Sequence, residues 1–338
     1  MKICVTGGTG FTGAALVERL LKQGHEVVAL DKQPGIALEG LKEQGAEVIL
    51  GSVTDESTVN DAVAGCEVVF HLAAAFRELE VPDSVYRNVN VDGTRIVAEA
   101  ALKAGARKLV YCSTQGVHGH IENPPGDETS PIEPADYYQQ TKYEGELELP
   151  PFASRGLEYT IIRPTAIYGP GDPGRFVMIY RRVQKGVFPM FGSGQTYYHP
   201  VYIDNLVDAF LLAMEPGVGA GEAYIIGDDE YFSIEELVRR VGRAIGVDVK
   251  VPHYPIWPLI IAGHVCERVC RPFGISPPIF PRRVDWFRQV RAFRIDKARS
   301  GLGYEPRVGI DEGLRRTGEW YIREGYIQQH QVYSGVER

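Results

Sequence analysis

The sequence predicts an α/β protein: a doubly wound parallel sheet followed by a smaller, mixed α/β lobe toward the C-terminus. Three observations carry this. Short β-branched runs alternate with amphipathic stretches up to Arg163, a glycine-rich turn follows the first run at Gly7, and the texture changes after Arg163. There Pro164, Gly169, Pro170, Gly171, Pro173 and Gly174 crowd one loop, which marks departure from regular strand–helix alternation.

Taken in order, Ile3-Cys4-Val5 is a strand, and a helix from Gly13 to Lys22 places Leu16, Leu20 and Leu21 on one side. Strands follow at Glu26 to Leu30, Glu47 to Leu50 and Val68 to Leu72, then a long helix from Val85 to Ala104 and a strand from Lys108 to Cys112. A helix from Tyr137 to Glu148 leads to a strand from Tyr159 to Ile162. Strands this short with helices between them read as βαβ units. Beyond the loop, the pattern predicts a helix from Asn205 to Met214, a strand from Ala223 to Ile226 and a helix from Ile234 to Ile245. Ser233 and Glu236 have capping-box spacing before that last helix, and a final helix from Asp311 to Glu324 stops at Gly325. The expected organisation is a dinucleotide-binding domain over 1–165 completed by 204–228, a substrate lobe over 166–203 and 229–330, and a tail at 331–338.

The chain has 338 residues, 44% of them hydrophobic and 24% charged, enough to bury a large core and unlike a disordered chain. A net charge of −8 argues against nucleic acid as a partner. The five cysteines, at 4, 66, 112, 266 and 270, include no CxxC pair, which suits reduced thiols. Cys266 and Cys270 lie one helical turn apart without a His or Cys set, so no metal site is expected and both should be buried. The first strand begins at once, leaving no room for a signal peptide, and a cytoplasmic location is expected. Ile256 to Val269 is the most apolar stretch. It contains Pro258, His264, Glu267 and Arg268 and falls short of a transmembrane span.

Thr6-Gly7-Gly8-Thr9-Gly10-Phe11-Thr12-Gly13 joins the first strand to the first helix. Gly7 allows the tight turn, Gly10 lets backbone approach a pyrophosphate and Gly13 permits close packing, while Phe11 and Thr12 open a helix whose N-terminus favours an anion. This is the Rossmann-type arrangement. Asp31, ending the second strand, can accept hydrogen bonds from the adenosine ribose and would repel a 2′-phosphate, so NAD is expected before NADP; Lys32 partly offsets that repulsion. Ser52 and Val53 are placed beside the adenine, and Leu72, Ala73, Ala74 and Ala75 along the groove, although ordinary strand-end packing explains these positions nearly as well.

Tyr138 and Lys142 stand four residues apart on one helix face, and a cation there favours the phenolate of a residue otherwise too weakly acidic to act as a base. Thr114, at the end of the fifth strand, can bond a substrate oxygen. These residues, with His71-Leu72-Ala73-Ala74, Asn90, Ser113, Arg163-Pro164 and His199-Pro200-Val201-Tyr202-Ile203-Asp204, occur in an order that resembles the extended short-chain dehydrogenases/reductases, the NAD-dependent epimerase/dehydratase superfamily. The resemblance covers residues 1 to 230 firmly and the rest loosely. It implies a catalytic triad of Thr114, Tyr138 and Lys142, with Ser113 a weaker candidate, Asn90 structural, and Tyr138, Lys142 and Pro164 also against the cofactor. It further implies a homodimer and a substrate site drawing on Ala75, Thr114, Gln115, Thr165 and Tyr198.

Gln115-Gly116 stands where the family's sugar dehydratases carry Asp-Glu, which argues against dehydration. Ala166 and Tyr198 stand where its nucleotide-sugar epimerases carry a diphosphate-binding Asn and Arg. The remaining pattern is similar to the branch of 3β-hydroxysteroid and sterol-4α-carboxylate 3-dehydrogenases. The expected activity is therefore reversible NAD-dependent oxidation of a secondary alcohol on a hydrophobic, sterol- or terpenoid-like substrate. A UDP-sugar 4-epimerase with transient NAD reduction stays open, and a non-catalytic NAD-binding regulator is the remote third. Residues 255–270 are expected as a core-facing helix, with peripheral membrane contact as the rival. Between Arg268 and Arg299, nine basic residues face only Asp285 and Asp296, a local balance of +7. A solvated basic face, anionic lipid and a substrate diphosphate are the readings of that stretch.

Overall fold

A computed structural model describes residues 1–76, 81–172, 174–270 and 284–328. Pro173, Arg271, Arg282, Arg283 and the expected tail at 331–338 lie outside the described residues. In chain order the first half holds β1 (Lys2–Thr6), α1 (Phe11–Lys22), β2 (Glu26–Asp31), α2 (Leu38–Glu43), β3 (Glu47–Leu50), α3 (Glu56–Val63) and β4 (Val68–His71). Next come α4 (Asp83–Arg87), α5 (Gly93–Lys103), β5 (Lys108–Cys112), α6 (Tyr137–Leu147), α7 (Pro150–Ala153) and β6 (Glu158–Pro164). The chain continues through β7 (Ala166–Tyr168), α8 (Arg175–Val183), β8 (Met190–Phe191), β9 (Tyr197–Tyr198), β10 (Pro200–Tyr202), α9 (Ile203–Ala213) and β11 (Ala223–Ile226). It ends with β12 (Phe232–Ser233), α10 (Ile234–Ala244), β13 (His253–Tyr254), α11 (Trp257–Cys270), α12 (Asp296–Leu302) and α13 (Ile310–Arg323).

Seven strands form one parallel sheet in the order β3-β2-β1-β4-β5-β6-β11. The strand order reverses between β1 and β4, the point where doubly wound sheets open a ligand crevice at their carboxyl ends. Alternation along β1 sends Ile3 and Val5 into one apolar layer and Cys4 into the other. The first layer packs Leu16 and Leu20 of α1 with Leu206 and Phe210 of α9; the second packs Val59 of α3 with Val97 and Ala101 of α5. Burial on both faces is why these strands read as continuous apolar runs. The pairs β7–β10, β9–β12 and β8–β13 lie outside the main sheet.

The single helix expected from Val85 to Ala104 is divided. A π turn at Asn88–Asp92 separates α4 from α5, and the extra residue accompanies buried Asn90, whose Nδ2 donates to Ala75 O (3.2 Å) and Thr141 Oγ1 (3.0 Å) while its Oδ1 accepts from Ala75 N (2.8 Å). The α11 expectation also needs correction. The helix does not bury its apolar residues: Trp257, Ile261, Val265 and Val269 are 55–63% exposed, because their spacing of four places them on one face that the core does not reach. Cys266 and Cys270 are half-buried with sulfurs 3.9 Å apart rather than buried. In the basic stretch, Arg288 pairs with Asp285, Lys297 with Glu222 and Arg299 with Asp229. Among the described residues no helix is long and apolar enough to cross a membrane and no cluster suits a metal.

Candidate active site

The glycine turn is dictated by space. Gly7 has φ +69°, and a Cβ on it would stand 2.8 Å from Ala73 N; one on Gly13 would stand 2.0 Å from Gly7 O, whereas one on Gly10 meets nothing nearer than 3.4 Å. Gly10 caps α1, so the first-turn amides, including those of Phe11 and Thr12, have no intrahelical acceptor and suit a pyrophosphate. Gly8, not singled out from sequence, is needed too: its Cβ would lie 2.7 Å from Ala29 Cβ on β2. Gly13→Ala is expected to cost about 1–3 kcal/mol, read as a lower urea midpoint, because the obstructing atoms are backbone; Gly10→Ala should leave that midpoint nearly unchanged.

A cleft of about 240 Å3 at the carboxyl ends of β1, β2 and β4 is lined by Gly7, Gly10, Asp31, Lys32, Ser52, Val53 and Leu72 to Ala75, together with Leu30, Gly51 and Val89, which the sequence alone did not place at the cofactor. Asp31 is oriented by Thr9 N, which donates to its Oδ2 (3.1 Å); Lys32 is exposed. Buried His71 lies between Thr6 Oγ1 (2.7 Å) and Thr94 Oγ1 (3.1 Å). Burial, with Lys142 adding to it, pulls its pKa down to about 3, so the ring is neutral.

Helix α6 carries the Tyr/Lys pair. Asp136 caps it by accepting from Gln139 N (2.9 Å), which sets Tyr138 in the first turn, half-buried, its ring 4.8 Å from Phe76. One turn on, Lys142 is 1% exposed with Nζ 4.1 Å from the Tyr111 ring centroid and no hydrogen-bond partner among the described residues. Burial pulls its pKa down to about 8, leaving it largely cationic at neutral pH. A buried ammonium without an acceptor is costly, and the ribose hydroxyls of a dinucleotide are acceptors of the right kind. Together with the glycine turn and Asp31, it makes the residues fit NAD.

Thr114 is half-buried and its Oγ1 accepts from Gly116 N (3.0 Å), leaving its own proton to donate. Ser113 is a correction: its hydroxyl donates to Glu146 Oε1 (2.5 Å) inside a buried network and is not available to substrate. Arg163 donates to Glu146 through Nε (2.9 Å) and Nη2 (2.5 Å), and through Nη1 to His118 Nε2 (3.0 Å). The Nδ1 proton of His118 goes to Ser130 O and Pro131 O, and burial, with Arg163 beside it, lowers its pKa. This network clamps α6 to β6 and the turn after β5, where Lys142 and Thr114 sit. Glu146 had no signal of its own in the sequence beyond lying one turn after Lys142.

Three more buried polar atoms have no hydrogen-bond partner among the described residues: Gln115 Oε1, Thr165 Oγ1 and Tyr198 OH. Gln115 follows β5 and Thr165 follows β6, adjacent parallel strands, while Tyr198 ends β9, one residue before the carbonyl that accepts from Ala166 N (3.0 Å). Pro164 is the last residue of β6. Asp228, also not foreseen, accepts from Tyr202 N (2.9 Å) and Asn205 Nδ2 (2.8 Å) and so fixes the start of α9; burial pushes its pKa up to about 7.

The model of the family described as NAD dependent epimerase/dehydratase matches residues 3–227. The chain is 32% identical to 3beta-hydroxysteroid-dehydrogenase/decarboxylase isoform 2 of Arabidopsis thaliana, over 98% of this chain and 65% of the plant protein, so it spans just under two thirds of that relative's length. It is 33% identical to 2-alkyl-3-oxoalkanoate reductase of Stenotrophomonas maltophilia, over 94% of this chain and 98% of the other. Among solved structures, UDP-glucose 4-epimerase of Thermotoga maritima with UDP-glucose superposes with a TM-score of 0.78 at 28% identity, covering 96% of this chain and 99% of that one.

Proposed function

The chain belongs to the NAD dependent epimerase/dehydratase family, is thus an NAD-dependent enzyme of the extended short-chain type, and from that premise we propose that it interconverts a secondary alcohol and a ketone on a hydrophobic small molecule. The observation that carries the proposal is Lys142 Nζ, buried beside Tyr138 on α6 without a partner. In this reading the glycine turn and α1 hold the pyrophosphate, Asp31 the adenosine ribose and Lys142 the nicotinamide ribose. When bound, NAD supplies the hydride acceptor or donor. Tyr138 takes the hydroxyl proton on oxidation and returns it on reduction, Lys142 keeps the phenolate accessible, and the free proton of Thr114 orients the substrate oxygen.

Substrate contacts at Ala75, Gln115, Thr165 and Tyr198 belong to this reading, supported at the last three by their unsatisfied polar atoms. A ketone β to a carboxylate loses CO2 readily, so the names of the dehydrogenase/decarboxylase and the 3-oxoalkanoate reductase both favour a 3-hydroxy or 3-oxo acid with an apolar body. The proposal takes 1–165 with 204–228 as the cofactor domain, 166–203 with 229–330 as the substrate lobe, a homodimer as the assembled form, and the cytoplasm as its location, with 255–270 in peripheral contact with a membrane. A UDP-sugar 4-epimerase is the second reading, favoured by the likeness to the Thermotoga enzyme and opposed by Ala166 and Tyr198.

The two readings separate on one measurement. Incubated with NAD and a hydrophobic 3-hydroxy acid, the protein is expected to accumulate NADH; conversion of UDP-glucose with no net NADH would sink the dehydrogenase in favour of the epimerase.

A further inference from the structure

We propose that Arg291 takes the carboxylate of the substrate, so that the site selects a hydrophobic 3-hydroxy acid over a neutral ester of the same shape; the proposal deepens the function given above and rests on it. Arg291 lies outside the triad and the cofactor cleft, on the segment that precedes α12.

That segment is held along both edges. On one, Ile121 N donates to Val290 O (3.0 Å), Gly126 N to Ala292 O (2.9 Å) and Arg294 N to Gly126 O (2.8 Å). On the other, Arg291 N donates to Tyr197 O (3.1 Å) and Phe293 N to His199 Nδ1 (3.3 Å). Bonding that alternates between edges is the pattern of extended backbone, so Arg291 and Phe293 put their side chains on one face, about 7 Å apart along the chain. Phe293 is buried with its ring 5.8 Å from that of His118, which ends the turn Gln115–His118 that Thr114 caps. Arg291 is also the parallel bridge partner of Tyr198, and bridge partners share a face of the pleat. The two placements converge. They set the guanidinium beside buried Tyr198, whose hydroxyl has no hydrogen-bond partner among the described residues, on the face that meets the turn after Thr114.

The surroundings suit an acid with an apolar body. Arg291 is half-buried, and its Nη2 donates to Gln289 Oε1, a neutral amide that orients the planar fork. Such a fork matches both oxygens of a carboxylate, and the Tyr198 hydroxyl can donate a further hydrogen bond to the same group. Against the Tyr198 ring stands Trp286, edge-on at 6.1 Å, with Phe287 5.0 Å beyond it; both are half-buried and form an aromatic wall for the apolar part. A carboxylate carries the single charge that one guanidinium matches, whereas a nucleotide diphosphate carries two.

The test uses the NAD-loaded full chain, with 3-hydroxydecanoate, its methyl ester and UDP as probes, and the variants Arg291→Met and Arg291→Lys. The wild type is expected to favour the acid over the ester by about 10–100-fold in kcat/KM, the worth of a charge-assisted contact, with more of the difference in KM than in kcat. Arg291→Met should erase that preference and Arg291→Lys restore part of it, both with the melting temperature and NAD affinity of the wild type. A purely structural role would lower acid and ester alike and keep the preference. That result, or a wild type that turns over acid and ester equally well, overturns the assignment of Arg291 and leaves the dehydrogenase reading standing. Calorimetry supplies a readout that needs no turnover: acid bound by the wild type and bound at least about tenfold more weakly by Arg291→Met, with no NADH formed, would uphold the anchor and defeat the functional reading instead. Acid that does not bind, or UDP that binds through Arg291 in its place, overturns the anchor.

Discussion

Tyr138→Phe is expected to keep NAD bound and to lose turnover by roughly 10²–10⁴-fold, the contribution of a positioned acid/base. The change removes one oxygen. The ring keeps its place in the first turn of α6, held by the Asp136 cap and the face of Phe76, so a fall in rate is not a fall in folding. The signature is a split: unchanged NAD affinity by calorimetry and an unchanged melting temperature, with a slow single-turnover formation of NADH. Lys142→Met should behave differently, weakening NAD as well, because its ammonium is assigned to the nicotinamide ribose besides the phenolate. Turnover by Tyr138→Phe at the wild-type rate would mean that the proton moves elsewhere.

The second large effect is on stability. Arg163→Met leaves Glu146 buried, its two short bonds to the guanidinium gone and only the Ser113 hydroxyl remaining. Removing one partner of a buried ion pair costs about 3–5 kcal/mol, visible as a lowered urea midpoint. The double variant Arg163→Met/Glu146→Gln, which removes the stranded charge, should recover a good part of that loss. A single variant within about 0.5 kcal/mol of wild type would show that the pair is not what clamps α6 to β6. Activity offers a second readout, since slack between those elements would displace Lys142 from Thr114 before the protein unfolds.

The alternation of short strands and helices, the glycine spacing at 7, 10 and 13, the acid at 31 and the four-residue step from Tyr138 to Lys142 were legible because each is local. A strand declares itself within about five residues and a helix face within two turns. The parallel sheet follows from that alternation, and the return of α9 and β11 to it from the short strand and helix after Asp204. What occupies the Ser113 hydroxyl was not legible, because it turns on Glu146, 33 residues away along the chain and on another element.

The same holds for the π turn at Asn90, whose partners are Ala75 and Thr141, and for Asp228, whose raised pKa records a burial that no neighbour in sequence announces. The apolar segment at 257–270 shows the limit most sharply. Its composition predicted a core-facing helix, but which way its apolar residues face was decided by the packing of the rest of the fold, which leaves Trp257, Ile261, Val265 and Val269 exposed. Periodicity names the residues that share a face; packing between distant parts of the chain decides what that face meets, because burial is a property of surfaces brought together and not of the run of residues that carries them.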